Sequence, residues 1–124
     1  MPAKTSDQQT PAVDRSALVE YIAAGCKPPG DWRIGTEHEK LVYRLEDYRP
    51  LEYEGRQSIR AILEGMQRFG WRPILEAGHP IALADDQGGS ITLEPGGQFE
   101  LSGAPLHSVH ETCDEIGGHL LQVK

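Results

Sequence analysis

The chain has 124 residues and a formal net charge of −7, with 19 acidic against 12 basic side chains. This length allows one modest domain with a single core. The acidic balance argues against a nucleic-acid-binding surface, which needs clustered lysine and arginine. Since no apolar run approaches the roughly 18 residues of a membrane span, we expect neither a nucleic acid nor a membrane as a partner.

The two cysteines, Cys26 and Cys113, lie far apart and in neither a CxxC nor a mixed Cys/His metal spacing. The N-terminus lacks the basic and then apolar order of a secretory signal. We therefore predict a cytoplasmic protein with reduced thiols. A Cys26–Cys113 disulfide is the alternative. Cys113 falls in the apolar stripe of a predicted helix, which favours burial as a small hydrophobic side chain.

The first quarter of the chain predicts a leader followed by a helix. Residues 1–12 are polar and contain proline, which is typical of a disordered leader. Residues 14–24 read as a helix that Asp14 can cap. Its apolar stripe is Leu18, Tyr21 and Ile22. Pro28 and Pro29 then block further helix.

A strand and a second helix follow. Residues 31–45 predict a long strand in which Glu37 and Glu39 point to the same side, about 7 Å apart. His38 then falls on the opposite face. Residues 56–69 show apolar side chains at helical spacing, and Gly70 can end that helix.

The remaining elements are mostly short strands. Residues 71–76, 81–84 and 90–94 read as strands, and residues 85–89 have the composition of a hairpin turn. A final helix carries the stripe Leu106, Val109, Cys113, Ile116, Leu120 and Val123. This stripe is still running at Lys124, which we interpret as a truncated end. The order of elements predicts an α+β fold, a mostly antiparallel sheet with helices packed on one face.

Residues 90–105 alternate apolar and polar side chains on both sides of a Pro-Gly-Gly break. If the break keeps the two halves in register, Glu94, Gln98 and Glu100 gather on one face. Adjacent carboxylates repel each other, so such a cluster needs a cation, a shared proton or a cationic ligand. The alternative is an ordinary amphipathic strand pair with a solvated acidic face.

Two acidic strand motifs together suggest a cation site. Glu37 and Glu39 form one wall and Glu94 and Glu100 the other. Mg²⁺ prefers oxygen ligands of this kind and shares its remaining positions with water and phosphates. The glycines at 96 and 97 would let the backbone come close to a ligand.

Several stretches resemble plant-type glutamate–cysteine ligases, the group shared by plants and many proteobacteria. The two most specific are residues 32–40 (WRIGTEHEK) and residues 91–106 (ITLEPGGQFELSGAPL). Residues 59–66 (IRAILEGM) and 68–71 (RFGW) are also similar to that family. The resemblance runs from about residue 17 to the C-terminus, without gaps inside each motif.

This resemblance implies a fold like part of the glutamine synthetase-like carboxylate–amine ligases. It implies ATP-dependent joining of the glutamate γ-carboxylate to the cysteine amine through γ-glutamyl phosphate, the first step of glutathione synthesis. By match to the motifs, Glu37, Glu39, Glu94 and Glu100 are candidate Mg²⁺ ligands, and Gln98 is a candidate for the substrate or metal shell. Catalytic residues stay unassigned.

Members of this family are several times longer than this chain. We therefore interpret residues 13–124 as the N-terminal part of the ligase catalytic domain and expect little activity from the chain alone, because the later strands should carry most nucleotide and cysteine contacts. Two alternatives remain open. One is a carboxylate–amine ligase that uses another amine, and the other is a non-catalytic metal-binding or interaction module.

Overall fold

The computed structural model describes residues 13–124, so the leader predicted for residues 1–12 lies outside the described residues. The chain divides after Trp32 into two compact units. In the first unit, helix α1 covers Arg15–Ala24. Asp14 caps it as predicted, because its side chain accepts a hydrogen bond from the Ala17 N–H at 2.8 Å. None of the residues of α1 is buried.

The second unit is built on an antiparallel sheet that has five strands within residues 33–124. In chain order the strands are β1 (Glu37–Lys40), β2 (Arg72–Glu76), β3 (His79–Ala84), β4 (Ser90–Glu94) and β5 (Gln98–Ser102). Across the sheet their order is β1-β5-β4-β3-β2, so β5 pairs with both β1 and β4. The predicted α+β class with an antiparallel sheet is confirmed.

Two helices accompany the sheet, and each has a serine cap. Helix α2 covers Ile59–Met66 and helix α3 covers Val109–Gln122. Ser58 accepts a hydrogen bond from the N–H of Ala61 at the start of α2. At α3 a capping box joins Ser108 and Glu111. The turn after α2 ends at Gly70, whose φ of 95° is left-handed, as the sequence predicts.

The core lies between the helices and one face of the sheet. Leu63 of α2 is fully buried, and the ring of His119 on α3 stacks on Phe99 of β5 at a centroid distance of 6.1 Å. The buried apolar cluster is Ile59, Leu63, Met66, Trp71, Leu83, Ile91, Phe99 and Leu101. Both helices therefore use the same sheet face, which confirms the predicted packing. Within the described residues, no helix is long and apolar enough to cross a membrane.

The long strand predicted for residues 31–45 was wrong in extent, since only Glu37–Lys40 form β1. Pro29–Asp31 form a 3-10 turn instead. Beyond β1, Ile34 makes only an isolated bridge to Leu106, and Tyr43 makes one to Pro50. The strand is short because its one partner, β5, is only five residues long.

The apolar stripe predicted for α3 was also wrong in its buried face. Thr112 and His119 are the buried residues of this helix, whereas Val109 is 62% exposed. Cys113 is exposed, so its predicted burial is corrected. The helix is turned so that His119 meets Phe99 and Gln122 accepts a 2.9 Å hydrogen bond from the Trp71 indole N–H.

His119 is buried without a hydrogen-bond partner for either ring nitrogen among the described residues. Burial, together with the positive charges of Lys40 and His38, lowers the pKa of His119 to about 4. Both of these groups lie on β1, on the sheet face opposite Glu37 and Glu39. The imidazole therefore acts as a neutral, largely apolar ring at neutral pH.

Replacing Leu63 by alanine should destabilise the chain by about 2–5 kcal/mol, because it opens a cavity beside the core strands. Leu121→Ala on α3 is the matched control, since Leu121 is 75% exposed, and it should change the free energy of unfolding by less than about 0.5 kcal/mol. Urea titration of both variants measures the difference. Equal losses would contradict the assigned core.

Acid should destabilise the chain through His119. The folded pKa of about 4 lies below the ordinary 6.5, so the unfolded chain binds the proton more readily. The free energy of unfolding should therefore fall as the pH drops from 6.5 towards 4. His119→Leu should flatten this slope in urea titrations at several pH values, whereas His110→Leu, at an exposed position of the same helix, should keep it. An unchanged slope in His119→Leu would overturn the assignment.

Candidate functional site

The polar face of the sheet brings the predicted residues together in rows. Glu39 of β1 lies opposite Glu100 of β5, which lies opposite Thr92 of β4. Glu94 of β4 lies opposite Gln98 of β5. Side chains of directly paired residues share a face, so four polar side chains of β4 and β5 join Glu39 there.

A second row continues the same face. Glu37 lies opposite Ser102, and Ser102 lies opposite Ser90. The opposite side of β5 carries Phe99 and Leu101, which are 1% exposed in the core. One short strand thus separates the apolar core from a surface of carboxylates, one amide and hydroxyls.

Glu94 and Glu100 are a neighbouring pair of carboxyl groups. They are diagonal neighbours across β4 and β5, because Glu94 pairs with Gln98, two residues before Glu100. A hydrogen bond that the protonated Glu94 carboxyl donates to Glu100 raises the pKa of Glu94, and the negative charges of Glu100, Glu39 and Glu37 raise it further. The face therefore concentrates negative charge on neighbouring strands.

Glu100 is the most enclosed of these acids, at 6% exposure. Its Oε1 atom accepts a 2.8 Å hydrogen bond from the Ser102 hydroxyl. Gln98 Nε2 donates a longer bond of 3.4 Å to Glu39 Oε2, so the amide links β5 to the acids of β1. The alternation of residues 90–105 places Ser102 on the polar side of the strand, but Ser102 is not among the predicted site residues. The signal that could have found it is its i+2 spacing from Glu100.

The turn between β4 and β5 fixes this geometry. Gly96 and Gly97 have φ values of 82° and 77°, a backbone region that favours glycine. The Gly97 N–H donates to the Glu94 carbonyl at 2.9 Å and closes the turn. Glu94 and Gln98 are thereby held opposite each other, as the strand residues next to the turn.

The structure places all five sequence-predicted site residues, Glu37, Glu39, Glu94, Gln98 and Glu100, on one face of neighbouring strands. That expected placement is confirmed. Within residues 13–124, however, no three His, Cys, Asp or Glu side chains meet closely enough to hold a metal ion. The assignment of these acids as metal ligands stays a prediction.

The donor set nevertheless fits Mg²⁺. This ion usually takes one or two carboxylates and completes its shell with water and substrate phosphates, and it rarely uses a cage made only of protein. Glu94 and Glu100 offer such a pair, while Glu37 and Glu39 add negative charge from the next strand. A cation here would relieve the repulsion that raises the pKa of Glu94.

A cavity of about 440 Å³ on the helix face is another acidic region. Three of the four acids that line it, all except Asp114, already serve the fold. Asp85 accepts backbone N–H groups within the β3–β4 turn, Glu111 caps α3, and Glu115 accepts the Ala104 N–H at 2.7 Å. The polar sheet face, where the acids instead crowd one another, is therefore the better candidate site.

Comparison with known proteins agrees with the motifs. The model of glutamate-cysteine ligase family 2 matches residues 33–124. Glutamate–cysteine ligase A, chloroplastic, from Oryza sativa subsp. japonica is 48% identical over 124 residues, which is 99% of this chain and 24% of that protein. The chloroplastic ligases of Medicago truncatula and Arabidopsis thaliana are 45% and 44% identical over 99% of this chain. The chain thus spans about a quarter of the length of these relatives.

The predicted cytoplasmic location was wrong. The rice, Medicago and Arabidopsis relatives are all named chloroplastic. The prediction depended on the lack of a secretory signal, and that criterion does not test for plastid import, whose transit peptides have a different composition.

The crowding of carboxylates can be tested through Glu94. Because the pKa of Glu94 is raised, the folded chain holds this proton more tightly, and its stability falls as the pH rises through that pKa. Glu94→Gln removes the charge and keeps a donor towards Glu100. In metal-free buffer at pH 7 and low salt, Glu94→Gln should raise the thermal midpoint of unfolding. Added salt should make this increase smaller, because it screens the repulsion between the carboxylates.

Glu76→Gln is the matched control for this substitution. Glu76 lies at the exposed end of β2, away from the acids of β1, β4 and β5, and its replacement should leave the midpoint unchanged. A midpoint in Glu94→Gln at or below that of the unsubstituted chain would show that the repulsion is absent.

Proposed function

This chain belongs to glutamate–cysteine ligase family 2, and we propose that it supplies one wall of the active site of an ATP-dependent glutamate–cysteine ligase. The observation that carries the proposal is the gathering of Glu37, Glu39, Glu94, Gln98 and Glu100 on one sheet face. The proposed substrates are glutamate, cysteine and ATP, with Mg²⁺ as the cation. The named ligases, which are about four times longer than this chain, support this assignment.

In the proposed reaction, the γ-carboxylate of glutamate attacks the γ-phosphorus of ATP, and ADP leaves. The product of this step is γ-glutamyl phosphate. The amine of cysteine then attacks the acyl carbon, phosphate leaves, and the amine loses a proton as the amide bond forms. Both steps move negative charge onto phosphate oxygens, so charge neutralisation is the main demand on the site.

The residues of this wall can meet that demand only together with a cation. Glu94 and Glu100 would hold Mg²⁺, which when bound neutralises charge on the phosphates. Glu37 and Glu39 would strengthen the attraction for the cation from the neighbouring strand. Gln98 has an amide that can donate to a substrate carboxylate or join the metal shell. Without the cation, the same acids would repel both ATP and glutamate.

The test measures cation and nucleotide binding by the 124-residue chain. Mn²⁺ serves as an EPR probe for the Mg²⁺ site, and titration calorimetry measures ATP with Mg²⁺ present. The double variant Glu94→Gln, Glu100→Gln should weaken Mn²⁺ binding at least tenfold, about 1.4 kcal/mol, whereas Glu76→Gln should not change it. Equal binding by the double variant would overturn the proposed wall.

A coupled assay for ATP-dependent γ-glutamylcysteine formation completes this test. The chain alone should show little or no turnover, because the relatives place about three quarters of their length outside the matched region. Robust turnover would show that this wall needs no further residues. ADP release with another amine but not with cysteine would favour a different carboxylate–amine ligase, and cation binding without any nucleotide binding would favour a non-catalytic module.

A further inference from the structure

We propose that Ser102 is a positioning residue that holds the Glu100 carboxylate in place for the cation. The inference rests on the proposed function, because it concerns how one carboxylate of the proposed wall is oriented. Its basis is the 2.8 Å hydrogen bond from the Ser102 hydroxyl to Glu100 Oε1.

The strand geometry of β5 brings the Ser102 hydroxyl within reach of Glu100. Ser102 lies two residues after Glu100, so both side chains point to the polar face. Ser102 is half-buried and Glu100 is buried, which limits competition from water for the hydroxyl. A buried carboxylate needs donors, because an unpaired one is costly.

The bond constrains one carboxylate oxygen of Glu100 and leaves the other oxygen available to contact a cation. A glutamate side chain has three rotatable bonds and loses entropy when it is held in one geometry. Ser102 imposes that loss during folding, so a cation arriving at Glu94 and Glu100 finds one carboxylate already oriented. Ligand sites depend on such supporting bonds to hold the contacting groups in place.

The neighbouring row supplies a control. Ser90 of β4 lies directly opposite Ser102, is also half-buried, and is absent from the side-chain hydrogen bonds of these acids in the described part of the chain. The two serines therefore share residue type, face and row, and they differ in the bond to Glu100.

The experiment compares Ser102→Val with Ser102→Thr. The two replacements have the same branched shape and both suit a strand, but only threonine keeps the hydroxyl. Binding of Mn²⁺ to the 124-residue chain is followed by EPR. Ser102→Val should bind about tenfold more weakly, about 1.4 kcal/mol, while Ser102→Thr and Ser90→Ala should stay within about threefold of the unsubstituted chain.

Circular dichroism checks that each variant is folded, and thermal midpoints separate stability from affinity. If Ser102→Val and Ser102→Thr bind Mn²⁺ with the same affinity, Ser102 has no positioning role. A tenfold loss of Mn²⁺ affinity in Ser90→Ala would overturn that role as well. If the unsubstituted chain binds Mn²⁺ and Glu94→Gln, Glu100→Gln loses it while Ser102→Val does not, only the role of Ser102 fails. If the unsubstituted chain does not bind Mn²⁺, the proposed wall and the role of Ser102 fail together.

Discussion

The closed turn between β4 and β5 is the constraint on which the polar face depends. Gly96 and Gly97 both take left-handed φ values, and the Gly97 N–H bonds to the Glu94 carbonyl at 2.9 Å. This geometry fixes the pairing of Glu94 with Gln98. Since side chains alternate along a strand, a slip of one residue would carry Glu100 to the core side and Phe99 to the polar side.

Burial of the core side chains offsets the repulsion between the carboxylates that this register brings together. Phe99 and Leu101 are 1% exposed on the other side of β5, and burying each contributes about 1.5–3 kcal/mol. A cross-strand pair such as Glu39 with Glu100 changes stability by only about 0.2–1 kcal/mol. Apolar burial therefore outweighs the clustering of acids, and the strand can hold the carboxylates together before any cation is bound.

The structure was predicted best where turn-forming residues and the alternation of apolar and polar side chains both indicate a strand hairpin. Residues 90–94 form the strand that was expected, and the five predicted site residues share a face. Prediction failed where contacts with another strand or helix determined the extent or the buried face of an element. The extent of β1 follows from the length of β5, and α3 buries His119 because it meets the ring of Phe99. A periodicity of apolar residues cannot anticipate a buried histidine.

The arrangement of the acids also explains why a pair, rather than a cage, suits the proposed chemistry. A cation enclosed by four carboxylates would carry excess negative charge and would repel a polyphosphate. Within the described residues no such cage forms, and Glu94 and Glu100 are diagonal neighbours across β4 and β5. Under the proposed function, the open side of the cation is where phosphate oxygens would bind. The wall would then bind cation and nucleotide as one unit, and selectivity for the amine would have to come from residues elsewhere.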